Sequence, residues 1–342
     1  MRALALTLSA ALITGCASLE DCGGAGGTSV PKVRSSTTRM PLANISAASA
    51  RFAPFAAMSA LVYEEGEGCK HPRLLTTGDE LRNTLARAGW SQYSPNAVKF
   101  PECDDELGMF VRVWQRKSES TTEYTIVFRG TGKGAQDWFN GNLWWFKRFL
   151  PGNDQYASSR DFAKRLIEQA ERENLEDSEK GPIVFYTAGH SLGGGLAQNV
   201  LYSFPDKVSQ AFAFDSSPVT AYSEQNEATR VRGCACNEAI LGTEARVYRV
   251  YESQEVLSWL RYLFKLVLPL NRHIQEVRFD FNVGHSIEQL AGSMKREAGE
   301  RPLGVRDDWW HGKPDQEGRD CSAVFAERLK ASCSMSAPVC PR

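Results

Sequence analysis

Residues 181–195 read GPIVFYTAGHSLGGG, and no other stretch restricts the fold so tightly. The β-branched and aromatic residues from Ile183 to Thr187 predict a strand, and Leu196 to Leu201 predict a helix. Between them Ser191 stands two residues from Gly189 and two from Gly193. A serine at such a strand-to-helix turn is held on strained backbone, with its hydroxyl clear of the main chain where a base and a carbonyl can both reach it. The competing reading is a glycine-rich structural turn. A serine alone is a weak nucleophile, so the chain must also supply a base, a carboxylate to orient it, and donors for an oxyanion.

The rest of the chain alternates in a way that suits this turn. Helical patterns cover 46–63, 78–89, 158–173, 192–203 and 287–298. Extended patterns cover 108–115, 123–129, 183–187, 210–215, 246–251 and 274–281. Strand and helix in turn predict an α/β fold, a mostly parallel sheet with helices on both faces. In such a sheet, ligands bind at the carboxyl ends of the strands, where Ser191 falls. With 40 Lys and Arg against 41 Asp and Glu, nothing points to nucleic acid or a polyanion as partner.

The chain begins Met1-Arg2, runs apolar from Ala3 to Ile13, and continues Thr14-Gly15-Cys16. One charge, a short apolar core and small residues predict a secretory signal over 1–15, too short for a conventional membrane span. Ile13-Thr14-Gly15-Cys16 resembles the lipobox of bacterial lipoproteins, in which the cysteine is acylated. Lipid on Cys16 would hold the protein at a membrane surface. Ala17 after it, by resemblance to Gram-negative lipoproteins, implies the outer membrane of the cell envelope. Residues 16–45, rich in Gly, Ser, Thr and Pro, read as a lipidated tether. One catalytic domain then spans 46–342. Of nine cysteines, eight remain after Cys16, a number that suits disulfides in an oxidising compartment. Cys234-Ala235-Cys236 has poor zinc spacing.

Thr125-Ile126-Val127-Phe128-Arg129-Gly130-Thr131 is a strand entering a Gly-Thr loop, followed by Asp137-Trp138 and Asn142-Leu143. Together with Gly189-His190-Ser191-Leu192-Gly193 it resembles the fungal-type (class 3) lipase family of the α/β-hydrolase fold, over roughly residues 50–295. The resemblance implies that the backbone N–H groups of Thr131 and Leu192 form the oxyanion hole. It also implies a base just before a late helix, the place of His285; His311 and His273 are the alternatives. The elbow's own His190 is expected to point away from the reacting centre. Counting along the late strand puts Glu255 at the family's aspartate position, a departure from the family pattern. Asp215 is the alternative acid and Glu252 a third.

Trp144-Trp145-Phe146 with Lys147 and Arg148, and the apolar stretch 256–270, suit a lid or a lipid surface, or else ordinary helices packed on the sheet. The reading is a serine ester hydrolase of the lipase or phospholipase A1 type, acting on lipid or other ester substrates with no metal or organic cofactor. The alternatives are a small-ester or feruloyl-type esterase and a non-catalytic surface lipoprotein.

Overall fold

The computed structural model describes residues 33–35, 45–64, 75–94, 103–104, 109–130, 154–175, 181–218, 220–240, 245–253, 257 and 274–304. In chain order the strands are β1 (Val33–Ser35), β2 (Ser91–Tyr93), β3 (Cys103–Asp104), β4 (Met109–Lys117), β5 (Thr122–Phe128), β6 (Ile183–His190), β7 (Val208–Phe214), β8 (Val247–Glu252) and β9 (Ile274–Phe279). The helices are α1 (Ile45–Leu61), α2 (Gly78–Arg87), α3 (Asp154–Leu175), α4 (Leu192–Ser203), α5 (Glu227–Ile240) and α6 (Ile287–Ala298). Strands β5 to β9 lie in sequence order, each parallel to the next. β4 pairs antiparallel with β5, and β2 and β3 pair antiparallel with β4. At the far edge β1 pairs antiparallel with β9, so part of the stretch read as tether contributes a strand.

The central strands are apolar on both sides because both sides are covered. Ala188, Phe212, Phe214, Val250 and Phe279 pack with α1, α2 and α6 on one face. Ile126, Phe128, Phe185, Ala211 and Val247 pack with Leu166 of α3 and with Leu196 and Val200 of α4 on the other. Phe52, Phe212, Phe214 and Phe279 have no exposed surface. Each such phenylalanine contributes about 1.5–3 kcal/mol by leaving water. Phe55 and Tyr248 both stack on Phe212, at 3.7 and 5.5 Å between ring centroids.

α1 is unusual in being buried on every side. From Ala47 to Leu61 all its residues are buried, Arg51 included. Such a helix is covered by sheet and by neighbouring helices at once, here β6 and β7 on one side and α2 and α6 on the other. The Arg51 guanidinium is accommodated by donating to Gln210 Oε1 (3.0 Å) and to the Gly304 carbonyl (3.2 Å). This doubly covered, mostly parallel sheet, with the serine turn at a strand's carboxyl end, is the α/β-hydrolase architecture.

Candidate active site

The turn between β6 and α4 is built by close backbone approach. A Cβ on Gly189 would overlap the Gly193 carbonyl, and one on Gly193 would overlap the Phe128 carbonyl. Glycine at both positions therefore lets α4 begin directly against β5 and β6. Ser191 takes φ 56° and ψ −122°, a conformation that costs a non-glycine residue about 1–3 kcal/mol. Neighbouring main chain holds it there. Ser191 N–H donates to the Phe214 carbonyl (3.0 Å), and its own carbonyl accepts from Gly194 (3.1 Å) and Ser217 (2.9 Å). Leu192 opens α4, and the first N–H groups of a helix have no partner within it.

Parallel pairing then brings an acid to the same place. β7 ends beside β6, His190 opposite Phe214, so Asp215 leaves the sheet next to the serine turn. Asp215 has φ 39°, and its carboxylate is fully buried, with Oδ1 accepting from Glu252 N–H at 2.8 Å. The third group arrives from the loop between β9 and α6. His285 precedes Ser286, the N-cap of α6, whose hydroxyl accepts from Gln289 N–H. One ring nitrogen of His285, one of His190 and one carboxylate oxygen of Asp215 lie within 4.8 Å of one another. The His190 and His285 rings sit 4.5 Å apart, tilted by 44°. His190 thus belongs to the cluster, and the expectation that it points away from the site is corrected.

Glu252, the third candidate acid, has a different task. Its two carboxylate oxygens accept from Phe281 N–H and Asn282 N–H, both at 3.1 Å, at the start of the loop that carries His285. Burial pushes its carboxyl up to about 7, against the lowering effect of those two N–H groups. Folded Glu252 therefore binds a proton more readily than unfolded Glu252. The stability it contributes is full below about pH 4.5 and is lost as pH rises through about 7. Glu252→Gln is expected to remove this slope between pH 5 and 8 in thermal unfolding. It also turns an amide donor against one of the two N–H groups, a cost of about 1–3 kcal/mol. An unchanged pH slope in the variant would show that Glu252 does not titrate in this range.

The oxyanion side is seen in part. β5 leads into Arg129 and Gly130; a Cβ on Gly130 would come to 2.5 Å from Tyr63 Oη and 2.7 Å from the His190 carbonyl. Tyr63 Oη accepts from Gly130 N–H (3.1 Å) and lies 3.0 Å from His190 Nδ1. Thr131, Glu255, Cys16, His273, His311 and the stretches 143–150 and 258–270 lie outside the described residues. Among the described residues no helix is long and apolar enough to cross a membrane.

Two imidazoles and a carboxylate could hold a divalent cation. The same groups, beside a serine on strained backbone, are what acyl transfer through a serine requires. A family model described as a Tle-like phospholipase domain matches residues 55–255, more than half of the chain. No curated protein matches the sequence. Two solved structures superpose only loosely. One is a lipase from Rhizopus microsporus var. chinensis, at 14% identity and TM-score 0.38, covering 69% of this chain and 74% of its own. The other is S-formylglutathione hydrolase from Staphylococcus aureus, at 12% identity and TM-score 0.30, covering 61% of this chain and 95% of its own. The matched segment runs from α1 through the serine turn to the end of β8, and by it the chain belongs to the Tle-like phospholipase domain family of ester hydrolases.

Proposed function

We propose that the chain is a membrane-anchored serine hydrolase that cleaves carboxylic esters of lipids, of the phospholipase A1 or lipase type. The observation that carries this is that Asp215, leaving β7 beside the strained Ser191 turn at the end of β6, lies within 4.8 Å of a ring nitrogen of His285. His285 takes the Ser191 hydroxyl proton as the oxygen attacks the ester carbonyl. Leu192 N–H and Thr131 N–H receive the oxyanion. Collapse breaks the bond to the alcohol, which leaves with the proton from His285, and Ser191 keeps the acyl group. Water, deprotonated by His285, then releases the fatty acid and restores the serine. Asp215 is the acid this reading favours, since it touches the histidine cluster; Glu255 is tested beside it.

The membrane part of the proposal rests on the lipobox-like Ile13-Thr14-Gly15-Cys16 and places the protein in a bacterial envelope, with disulfides among the remaining cysteines. The kinship with class 3 lipases rests on the Phe128-Arg129-Gly130-Thr131 and serine-turn motifs. The test is hydrolysis by the full chain of phospholipid vesicles, triacylglycerol emulsion and soluble p-nitrophenyl esters, with and without EDTA. Release of fatty acid from vesicles, unaffected by EDTA, is expected. Activity on soluble esters alone would reassign the substrate, and loss in EDTA would make the two histidines and Asp215 metal ligands. Palmitate labelling that survives Cys16→Ser would remove the anchor.

A further inference from the structure

Asp215 and His285 come from two different loops, and one buried residue is bonded to both loops. Glu252 closes β8 opposite Phe279 of β9. Its main-chain N–H donates to Asp215 Oδ1 at 2.8 Å. Its carboxylate oxygens accept from Phe281 N–H and Asn282 N–H, at 3.1 Å each. The strand ladder runs out just here: Ser253 N–H takes the Phe279 carbonyl (2.8 Å), and the Glu252 side chain then supplies acceptors to the next stretch of chain. That stretch turns sharply. Asn282 has φ 59° and Gly284 φ 61°, and His285 follows directly. A Cβ on Gly284 would meet nothing within 4 Å, so glycine serves the turn itself and not a close approach. A left-handed asparagine is held by its surroundings, and the Asn282 N–H on Glu252 is one such hold.

The geometry points to Glu252 as a positioning residue for the reaction: its main chain holds Asp215, its side chain holds the loop that delivers His285, and so one residue sets the acid against the base. The inference deepens, and rests on, the reading of Asp215 and His285 as that pair. Any substitution at 252 keeps the main-chain bond to Asp215, so variants loosen the histidine side alone. A base misplaced by about 1 Å costs on the order of 10²-fold in rate.

The test uses full-length protein and two variants, compared well below their thermal midpoints. Glu252→Gln keeps the shape and one acceptor oxygen, and Glu252→Met keeps the volume and no oxygen. The expected fall in kcat is roughly 10-fold for Gln and 100-fold for Met, with KM within about two-fold. Hydrogen exchange at the Phe281 and Asn282 amides should quicken in the same order, while the amide of residue 252 stays protected by Asp215. With ¹⁵N-labelled histidine, the His285 ring signals should shift in both variants. A Glu252 that only stabilises the fold would lower the thermal midpoint and leave kcat and the His285 signals as they are. Either that result or a loss confined to KM would overturn the inference. Should the Met variant not fold, the isosteric Gln variant decides alone. Exchange and ring signals are read without turnover, so the parent reading fails separately, when Asp215→Asn is fully active.

Discussion

Ser191→Ala should abolish hydrolysis while leaving the fold in place. The expected fall in kcat is about 10⁵- to 10⁶-fold, the scale seen when a serine hydrolase loses its nucleophile and keeps only binding and oxyanion contacts. The variant should also fail to react with a fluorophosphonate probe that labels the wild type. Its thermal midpoint should not drop, because only a hydroxyl is removed, and the bonds that hold the strained turn, to Phe214, Gly194 and Ser217, all use backbone atoms. Labelling that persists in Ser191→Ala would move the nucleophile elsewhere in the chain.

Asp215→Asn is the second large effect. The amide keeps the shape and can still accept from Glu252 N–H, but it carries no charge to orient His285 or to stabilise it once protonated. A fall in kcat on the order of 10⁴-fold is expected, with KM little changed. Glu255→Gln, assayed beside it, should be within about ten-fold of wild type. The reverse order would return the acid to Glu255 and leave Asp215 as a structural anchor for the start of the loop after β7.

The contrast between these carboxylates shows where sequence reading stops. Strands β4 to β9 and helices α1 to α4 and α6 are visible as apolar runs or helical periods, Ser191 is picked out by the turn, and His285 by the resemblance that sets a base just before a late helix. Glu255 came from counting along one strand. Asp215 becomes prominent only when β7 lies between β6 and β8, since its neighbours in space are the ends of both. Glu252 looks in sequence like an ordinary strand-end acid, and its clamp on Phe281 and Asn282 depends on β8 pairing with β9. Helix α5, with Gly233, two cysteines and scattered charge, has no clear apolar face, so its period is faint. β1, β2 and β3, at two or three residues each, exist by pairing rather than by propensity.

The helix buried on every side, α1, decides how the activity comes into being. It packs against α6, nearly at the other end of the domain, and it ends just before Tyr63, while His285 sits just before α6. Loops of that length close slowly, and contacts between distant segments form late in folding. His285 is carried just ahead of α6, so a chain in which α6 has not docked on α1 is expected to lack activity. In refolding, hydrolysis should return with the slowest phase, after helical signal has recovered. A lipid-cleaving centre made this way switches on only when the whole domain has closed.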